Sequence, residues 1–268
     1  MDTKMTKRIW ELDFFRGFAI IMMVFDHLMF DLMLMPSWFS NYAQVDHEFI
    51  KSLHALGVMY WNSDLRAGGH YVFVGLFLFI SGISFNMSKN NFIRGLKFLI
   101  FALLISAVTI SAEIISSGAM RFATYFGIIH LYAVGTLLTY LIRKIWNNDF
   151  FMLVIGCAIL AIGLHFRIQN NPYYDRLTFG RFFLMMFGYR GFGADYFPIA
   201  PFAGAIMIGS ALGRWMYPNK QSLLPGLAGK WSAPVNWAGR KAFVIFVLHQ
   251  VVLFVVILGV MYLFGYRI

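Results

Sequence analysis

The sequence predicts an all-α protein, a polytopic transmembrane helical bundle of about seven spans. Three observations carry that expectation. Sixty per cent of the 268 residues are hydrophobic and only 13% are charged, about half the charge of an ordinary soluble domain. The apolar residues fall into runs long enough to cross a bilayer, about 20 residues each. Basic residues collect in the segments between those runs, with an asymmetry that reads as membrane topology.

The runs lie near 12–34, 69–88, 92–117, 122–142, 149–166, 198–217 and 241–265. Residues 181–189, "RFFLMMFGY", are too short to span and read as a re-entrant or interfacial segment. The first run follows Lys4, Lys7 and Arg8 but has no small-residue cleavage site after it and contains charges, so it reads as a retained helix. Two loops are long, 36–68 and 167–197, and long loops tend to carry function. No soluble domain or internal repeat interrupts the chain, which is expected to form one domain over 1–268. The single cysteine, Cys157, excludes an internal disulfide and a thiolate metal site.

An N-terminus in the cytoplasm puts Lys4, Lys7, Arg8, Lys89, Arg94, Lys97, Arg143, Lys144, Arg214, Lys220, Lys230, Arg240 and Lys241 inside. Lys51, Arg66, Arg121, Arg167, Arg176, Arg181, Arg190 and Arg267 then lie outside, 13 against 8. The net charge of +10 is thereby explained by topology, with no nucleic-acid partner. The expectation is a multi-pass protein of the cell membrane, N-terminus in and C-terminus out.

The first run, "FRGFAIIMMVFDHLMFD", holds charges that are costly in lipid, and such residues mark function by default. At about 100° per residue, Arg16, Ile20, Met23, His27 and Asp31 form one stripe, with Asp13 close to it and Asp26 about 80° away. Arg16 and His27 are separated by roughly 16 Å along the axis. Asp31 is spaced to hydrogen-bond His27 one turn away. Elsewhere, His130 lies about two turns into its run, Asp195 precedes the sixth, and Arg240 and Lys241 open the last. His249 and Gln250 lie about 12 Å deeper. The bland reading of a lone mid-helix histidine, a satisfied packing residue, competes at His130 and His249.

Permanent cations (Arg16, Arg240, Lys241) thus gather at one mouth, which suits a phosphate-bearing donor. Histidine and aspartate (His27, Asp31, His130, Asp195) gather toward the other, which suits proton removal from a hydroxyl or amine. The pattern fits acyl transfer across the membrane. The rival reading is a proton-coupled transporter that uses the same residues as a relay, distinguished by uptake driven by a pH gradient and by no need for a phosphate-binding mouth. A non-enzymatic membrane scaffold is a third reading. A retinal photoreceptor is disfavoured, because Lys241, the last run's lysine, sits at its mouth.

Five segments, "RIWELDFFRGFAIIMMVFDHLMFDL", "FVGLFLFISGISFNMSKN", "FGIIHLYAVG", "DYFPIAPFAGAIMIGSALGR" and "GRKAFVIFVLHQ", follow one another over nearly the whole chain. In that order they resemble small prokaryotic membrane proteins related to the catalytic domain of heparan-α-glucosaminide N-acetyltransferase. The Arg16-x10-His27 spacing is similar to that of acyltransferase-3-type membrane proteins, which O-acylate cell-surface glycans. The resemblance implies acetyl-CoA or another acyl-CoA as co-substrate, a sugar or other glycan acceptor on the far side, and His27 as the catalytic histidine. In the heparan enzyme the position matching His27 is an asparagine and the catalytic histidine follows in the next loop, where His47 and His54 are the nearest counterparts here. The chain is shorter than its better-known relatives, and a homodimer is one way to complete its pocket. The expected set is therefore His27 as base with Asp31 orienting it and His130 beside them, Arg16, Arg240 and Lys241 on the donor phosphates, and Asp195 and His249 on the acceptor.

Overall fold

The computed structural model describes residues 8–116, 123–169 and 173–268. Lys4, Lys7 and Arg121, counted above for topology, lie outside them, as does Phe122 at the start of the fourth expected span. Among the described residues the ordered secondary structure is helical: α1 (Trp10–Leu34), α2 (Glu48–Trp61), α3 (Asp64–Phe85), α4 (Asn91–Ile115), α5 (Ile128–Ile145), α6 (Asp149–Ile168), α7 (Phe179–Phe187), α8 (Ile199–Met216), α9 (Ala233–Arg240) and α10 (Ala242–Leu263). Seven of these, α1, α3, α4, α5, α6, α8 and α10, are long and apolar enough to cross a membrane. They are the seven expected runs. The short helix α7 falls on the segment read as too short to span, ending at Gly188, whose φ of 107° needs no Cβ.

The chain forms two compact units, one of residues up to 77 with 224–268, the other of residues 78–223, with the boundary inside α3. In the first unit α1 packs on α2, α9 and α10. Met29 and Leu32 at the end of α1 and Met35 just after it join Ile50 of α2 and Ile257 and Met261 of α10 in one buried cluster, closed by Phe39 and Tyr266. Nearer its start, Ile20 packs with Ala238 and Ala242. Because α1 has neighbours on several sides, its buried residues are not one stripe: Asp13, Gly17, Ala19, Asp26 and Asp31 are all buried.

In the second unit α8 lies between α5 and α6. Small residues let these backbones approach, as membrane helices require: a Cβ on Gly204 would meet the Gly156 carbonyl, and one on Gly163 would meet Pro201. Arg143 at the end of α5 donates to Asp149 at the start of α6 (2.8 Å) and to the Ser210 carbonyl of α8 (2.8 Å), and Arg214 lies 3.5 Å from the same Asp149. The α5–α6 turn and the end of α8 are thereby tied together, as the topology expected.

The fourth span starts later than expected, at Ile128 instead of 122. Residues 123–127 are non-helical, with a bend at Tyr125 and Phe126, and Ala123, Thr124, Phe126 and Gly127 are buried. Irregular backbone inside a membrane protein must find partners within the protein. Here Ala123 N donates to Glu113 (2.8 Å), Thr124 N to Thr109 Oγ1 (3.1 Å), Ala194 N to the Ala123 carbonyl (3.0 Å) and Phe197 N to the Phe126 carbonyl (3.1 Å). The last expected span, 241–265, is α10, and a short separate helix precedes it. Helix α9 ends at Arg240, Lys241 is a non-helical joint, and α10 begins at Ala242.

Candidate active site

In the first unit, α1 and α10 run side by side in the same direction. Four pairings set their register. At one end Gly17 of α1 meets Gly239 just before α10; a Cβ on Gly17 would strike the Val235 carbonyl, and one on Gly239 the Asp13 carbonyl. Further along, the rings of His27 and His249 lie 4.7 Å apart, edge to face at 83°. One turn beyond, Gln250 Nε2 donates to both Asp31 carboxylate oxygens, at 2.9 Å each. At the far end Ser40 N donates to the Arg267 carbonyl (2.8 Å). First and last spans that run parallel are what an odd number of crossings produces.

The glycine contact positions the cations. Arg16 precedes Gly17 and Arg240 follows Gly239, so the α1–α9 crossing brings the "RG" and "GR" segments to one end of the unit. Arg16 donates to Asp13 (3.0 Å), while Arg240 and Lys241 are exposed. The three expected phosphate ligands therefore share an end, and one of them carries an acidic partner.

Each imidazole of the facing pair is oriented by its own helix. His27 Nδ1 lies 2.9 Å from the Met23 carbonyl and His249 Nδ1 2.6 Å from the Phe246 carbonyl. A carbonyl only accepts, so both Nδ1 atoms carry hydrogen and both Nε2 atoms present a lone pair. His249 Nε2 is enclosed without a hydrogen-bond partner among the described residues, and so is Gln250 Oε1. Asp31 does not bond to a ring nitrogen of His27, the arrangement expected from their spacing. Its carboxylate is held by Gln250 instead.

The sequence reading set Asp26 aside, yet three side chains converge on its carboxylate. Arg66 donates to it through Nε (3.1 Å) and Nη2 (3.3 Å), Tyr60 through its hydroxyl (3.2 Å), and His70 Nδ1 approaches to 3.5 Å. Arg66 also stacks 3.6 Å over Trp61. Burial pushes the Tyr60 hydroxyl up to about 12, reinforced by the Asp26 charge, so that it remains a donor. The available signal was the i,i+4 spacing of Arg66 and His70, which places both on one face at the start of α3. His54, a counterpart of the heparan enzyme's histidine, sits 3.2 Å from the Leu32 carbonyl, and His47 packs its ring 4.4 Å from Phe264.

His130 and Asp195 meet in the second unit at the start of α5. His130 Nδ1 accepts from Gly127 N (3.3 Å) and its Nε2 lies 3.0 Å from Ser106 Oγ, which in turn donates to the Thr124 carbonyl (2.6 Å). Both ring nitrogens are thus engaged in bracing the helix start. Asp195, held at φ 47°, accepts from Ile128 N through Oδ2 (3.3 Å). The residue keeps exposed surface although protein crowds its carboxyl. That crowding pushes its carboxyl up to about 7, against the opposing pull of the Ile128 N–H.

Seven apolar helices define a polytopic membrane protein, in which two imidazoles face each other between α1 and α10. The chain belongs to the family described as the heparan-alpha-glucosaminide N-acetyltransferase catalytic domain, whose model matches residues 8–251. That is a family of membrane acetyltransferases, and it covers α1 through the His249–Gln250 pair. Comparison with curated proteins and with solved structures finds no significant match.

Proposed function

We propose that this protein transfers an acetyl or other acyl group from cytoplasmic acyl-CoA to a hydroxyl or amine, such as that of a terminal glucosaminide, at the outer face of the cell membrane. The observation that carries the reading is the His27 imidazole, oriented by the Met23 carbonyl so that Nε2 is free to handle a proton. Family membership supports the reaction class. The chain's basic asymmetry supports an N-terminus in the cytoplasm.

The acyl-CoA phosphates rest at the end where α1 crosses α9, with Arg240 and Lys241 as exposed cations and Arg16 beside them. His27 is roughly 16 Å further along α1, a distance an extended pantetheine arm covers. His27 Nε2 takes the proton that the acceptor gives up as it attacks the thioester, and returns it to the departing thiolate. Gln250 fixes Asp31, whose charge supports the imidazolium while the proton is held. Asp195 and His130 lie in the second unit, where His130 braces α5.

The test is transfer of radiolabelled acetyl from acetyl-CoA in reconstituted vesicles, against a set of amine and hydroxyl acceptors that begins with a terminal α-glucosaminide. His27→Ala is expected to abolish transfer and to keep acetyl-CoA binding. Undiminished transfer by His27→Ala removes His27 from the mechanism.

A further inference from the structure

Arg94 lies in the first turn of α4, in the second unit. Its guanidinium carbon sits 5.9 Å from the ring centres of both Phe85, at the end of α3, and Tyr132 of α5. Nε and Nη2 are enclosed there, and among the described residues neither has a hydrogen-bond partner. These two nitrogens form one edge of the guanidinium, whose parallel N–H bonds suit two oxygens of a single carboxylate or phosphate. Arg66 shows the same edge in use, with Nε and Nη2 donating to the two oxygens of Asp26. At Arg94 no described carboxylate takes that place.

Asn91, three residues earlier, supplies the complement on the same side of α4. Its Nδ2 donates to the Phe85 carbonyl (2.9 Å), which leaves Oδ1 as an acceptor, and Oδ1 too is enclosed without a partner. Donors and acceptor thus stand near one another on α4 without bonding each other. Enclosed polar atoms left unpaired are rare in native proteins and ask for an explanation. An unpaired guanidinium within a membrane span is costlier still.

The neighbouring elements supply no anion. Residues 78–90 and α5 contain no acidic residue, and the single one of α4, Glu113, is at its far end, bonded to Ala123 N. Asp149 is already shared by Arg143 and Arg214, at 2.8 and 3.5 Å. Lys89 and Lys97, before and after Arg94 in the chain, are exposed. Beyond Lys97, Ile100, Leu103 and Leu104 of α4 are each more than half exposed, an apolar face for lipid chains to cover.

We propose that Arg94 and Asn91 form a phosphate site at the polar end of α4, filled by the headgroup of an anionic phospholipid. The inference goes beyond acyl transfer and does not depend on it. Two phosphate oxygens accept from Nε and Nη2, and a headgroup hydroxyl donates to Asn91 Oδ1. Lys89 and Lys97 favour a lipid of net negative charge, whose acyl chains lie along Ile100, Leu103 and Leu104. A soluble phosphate ester offers the same oxygens without the chains, and the experiment separates the two sources.

The purified protein in a non-ionic detergent is titrated calorimetrically with short-chain phosphatidylglycerol and, separately, with glycerol 3-phosphate. Saturable binding of phosphatidylglycerol is expected, weakened at least about tenfold in Arg94→Gln. Arg94→Lys is expected to lose affinity to a similar extent, because an ammonium keeps the charge but has no two-nitrogen edge. Lys97→Gln, which removes an exposed charge one turn away, is expected to change affinity less than about threefold. Glycerol 3-phosphate is expected to bind far more weakly; binding as tight as the lipid's, with the same loss in Arg94→Gln, keeps the phosphate site and overturns the lipid as its occupant. Affinity for both probes unchanged in Arg94→Gln overturns the site, and so does wild-type affinity in Arg94→Lys. A folded wild-type protein that binds neither probe saturably overturns it as well. Should Arg94→Gln fail to fold, Arg94→Lys decides by the same measurement.

Discussion

Gln250 Nε2 donates to both oxygens of Asp31, 2.9 Å each, across the seam between two parallel helices. This contact fixes the rotation of α1 against α10 one turn beyond the His27–His249 pair. Charge-assisted hydrogen bonds of this kind contribute about 1.5–3 kcal/mol. Gln250→Leu is therefore expected to destabilise the protein by about 2 kcal/mol, read as thermal unfolding in nanodiscs. The double variant Asp31→Leu/Gln250→Leu, which leaves no buried charge unpaired, is expected to unfold nearer the wild-type temperature than Gln250→Leu alone.

The Asp26–Arg66 pair predicts an order of severity. Arg66→Met leaves a partly buried carboxylate without its main counter-charge, a loss of about 3–5 kcal/mol. Asp26→Leu/Arg66→Met removes both charges and is expected to lie well above Arg66→Met in thermal stability. Equal stability of the single and double variants contradicts a paired role for Asp26.

The Gly17–Gly239 contact tests how the cations are placed. Any Cβ at Gly239 meets the Asp13 carbonyl, a backbone atom that no rotamer change can move. Gly239→Val is expected to separate α9 from α1 at an expense of at least about 1–3 kcal/mol. Acetyl-CoA affinity is expected to fall with it, because Arg240 moves while its charge is unchanged. Calorimetric titration of the folded variant checks this.

Asp195 gives a pH dependence of stability. Crowding by protein raises its carboxyl in the folded state, to about 7, above the unfolded value of about 3.9. For an acid so shifted the folded state binds the extra proton. The stabilising contribution is full below about pH 4 and is lost as pH rises through the folded value. Asp195→Asn keeps an oxygen for the Ile128 N–H and cannot ionise. It is expected to match wild type near pH 4 and to be the more stable protein at pH 8, by thermal unfolding at both pH values.

The spans were legible in the sequence because hydropathy and length alone define them; α7 was seen as too short to span by the same measure. What periodicity could not give was the partner of each polar residue. A helical wheel assumes one buried face, but α1 is surrounded by α2, α9 and α10, so Asp26 faces a partner of its own instead of pointing away from the site. The i,i+4 spacing of His27 and Asp31 suggested a local bond, but the stronger competitor, the Gln250 amide, comes from the other end of the chain. His130 read as a candidate functional group about two turns into a span starting at 122. With the helix starting at Ile128 it is a third-position cap, engaged at both nitrogens. The "RG" and "GR" dipeptides stood in the quoted segments, but their glycines' contact depends on α9, a short helix ahead of the last span that hydropathy does not show.

The account rests on a donor site at the Arg16–Arg240 end of the first unit. Its most direct test is calorimetric titration of acetyl-CoA into the purified protein in nanodiscs, alongside the double variant Arg240→Ala/Lys241→Ala. Saturable binding by wild type, weakened at least tenfold in the variant and relieved by added salt in both, is the result expected of phosphates held by exposed cations. A folded, monodisperse protein that shows no saturable binding of acetyl-CoA contradicts it.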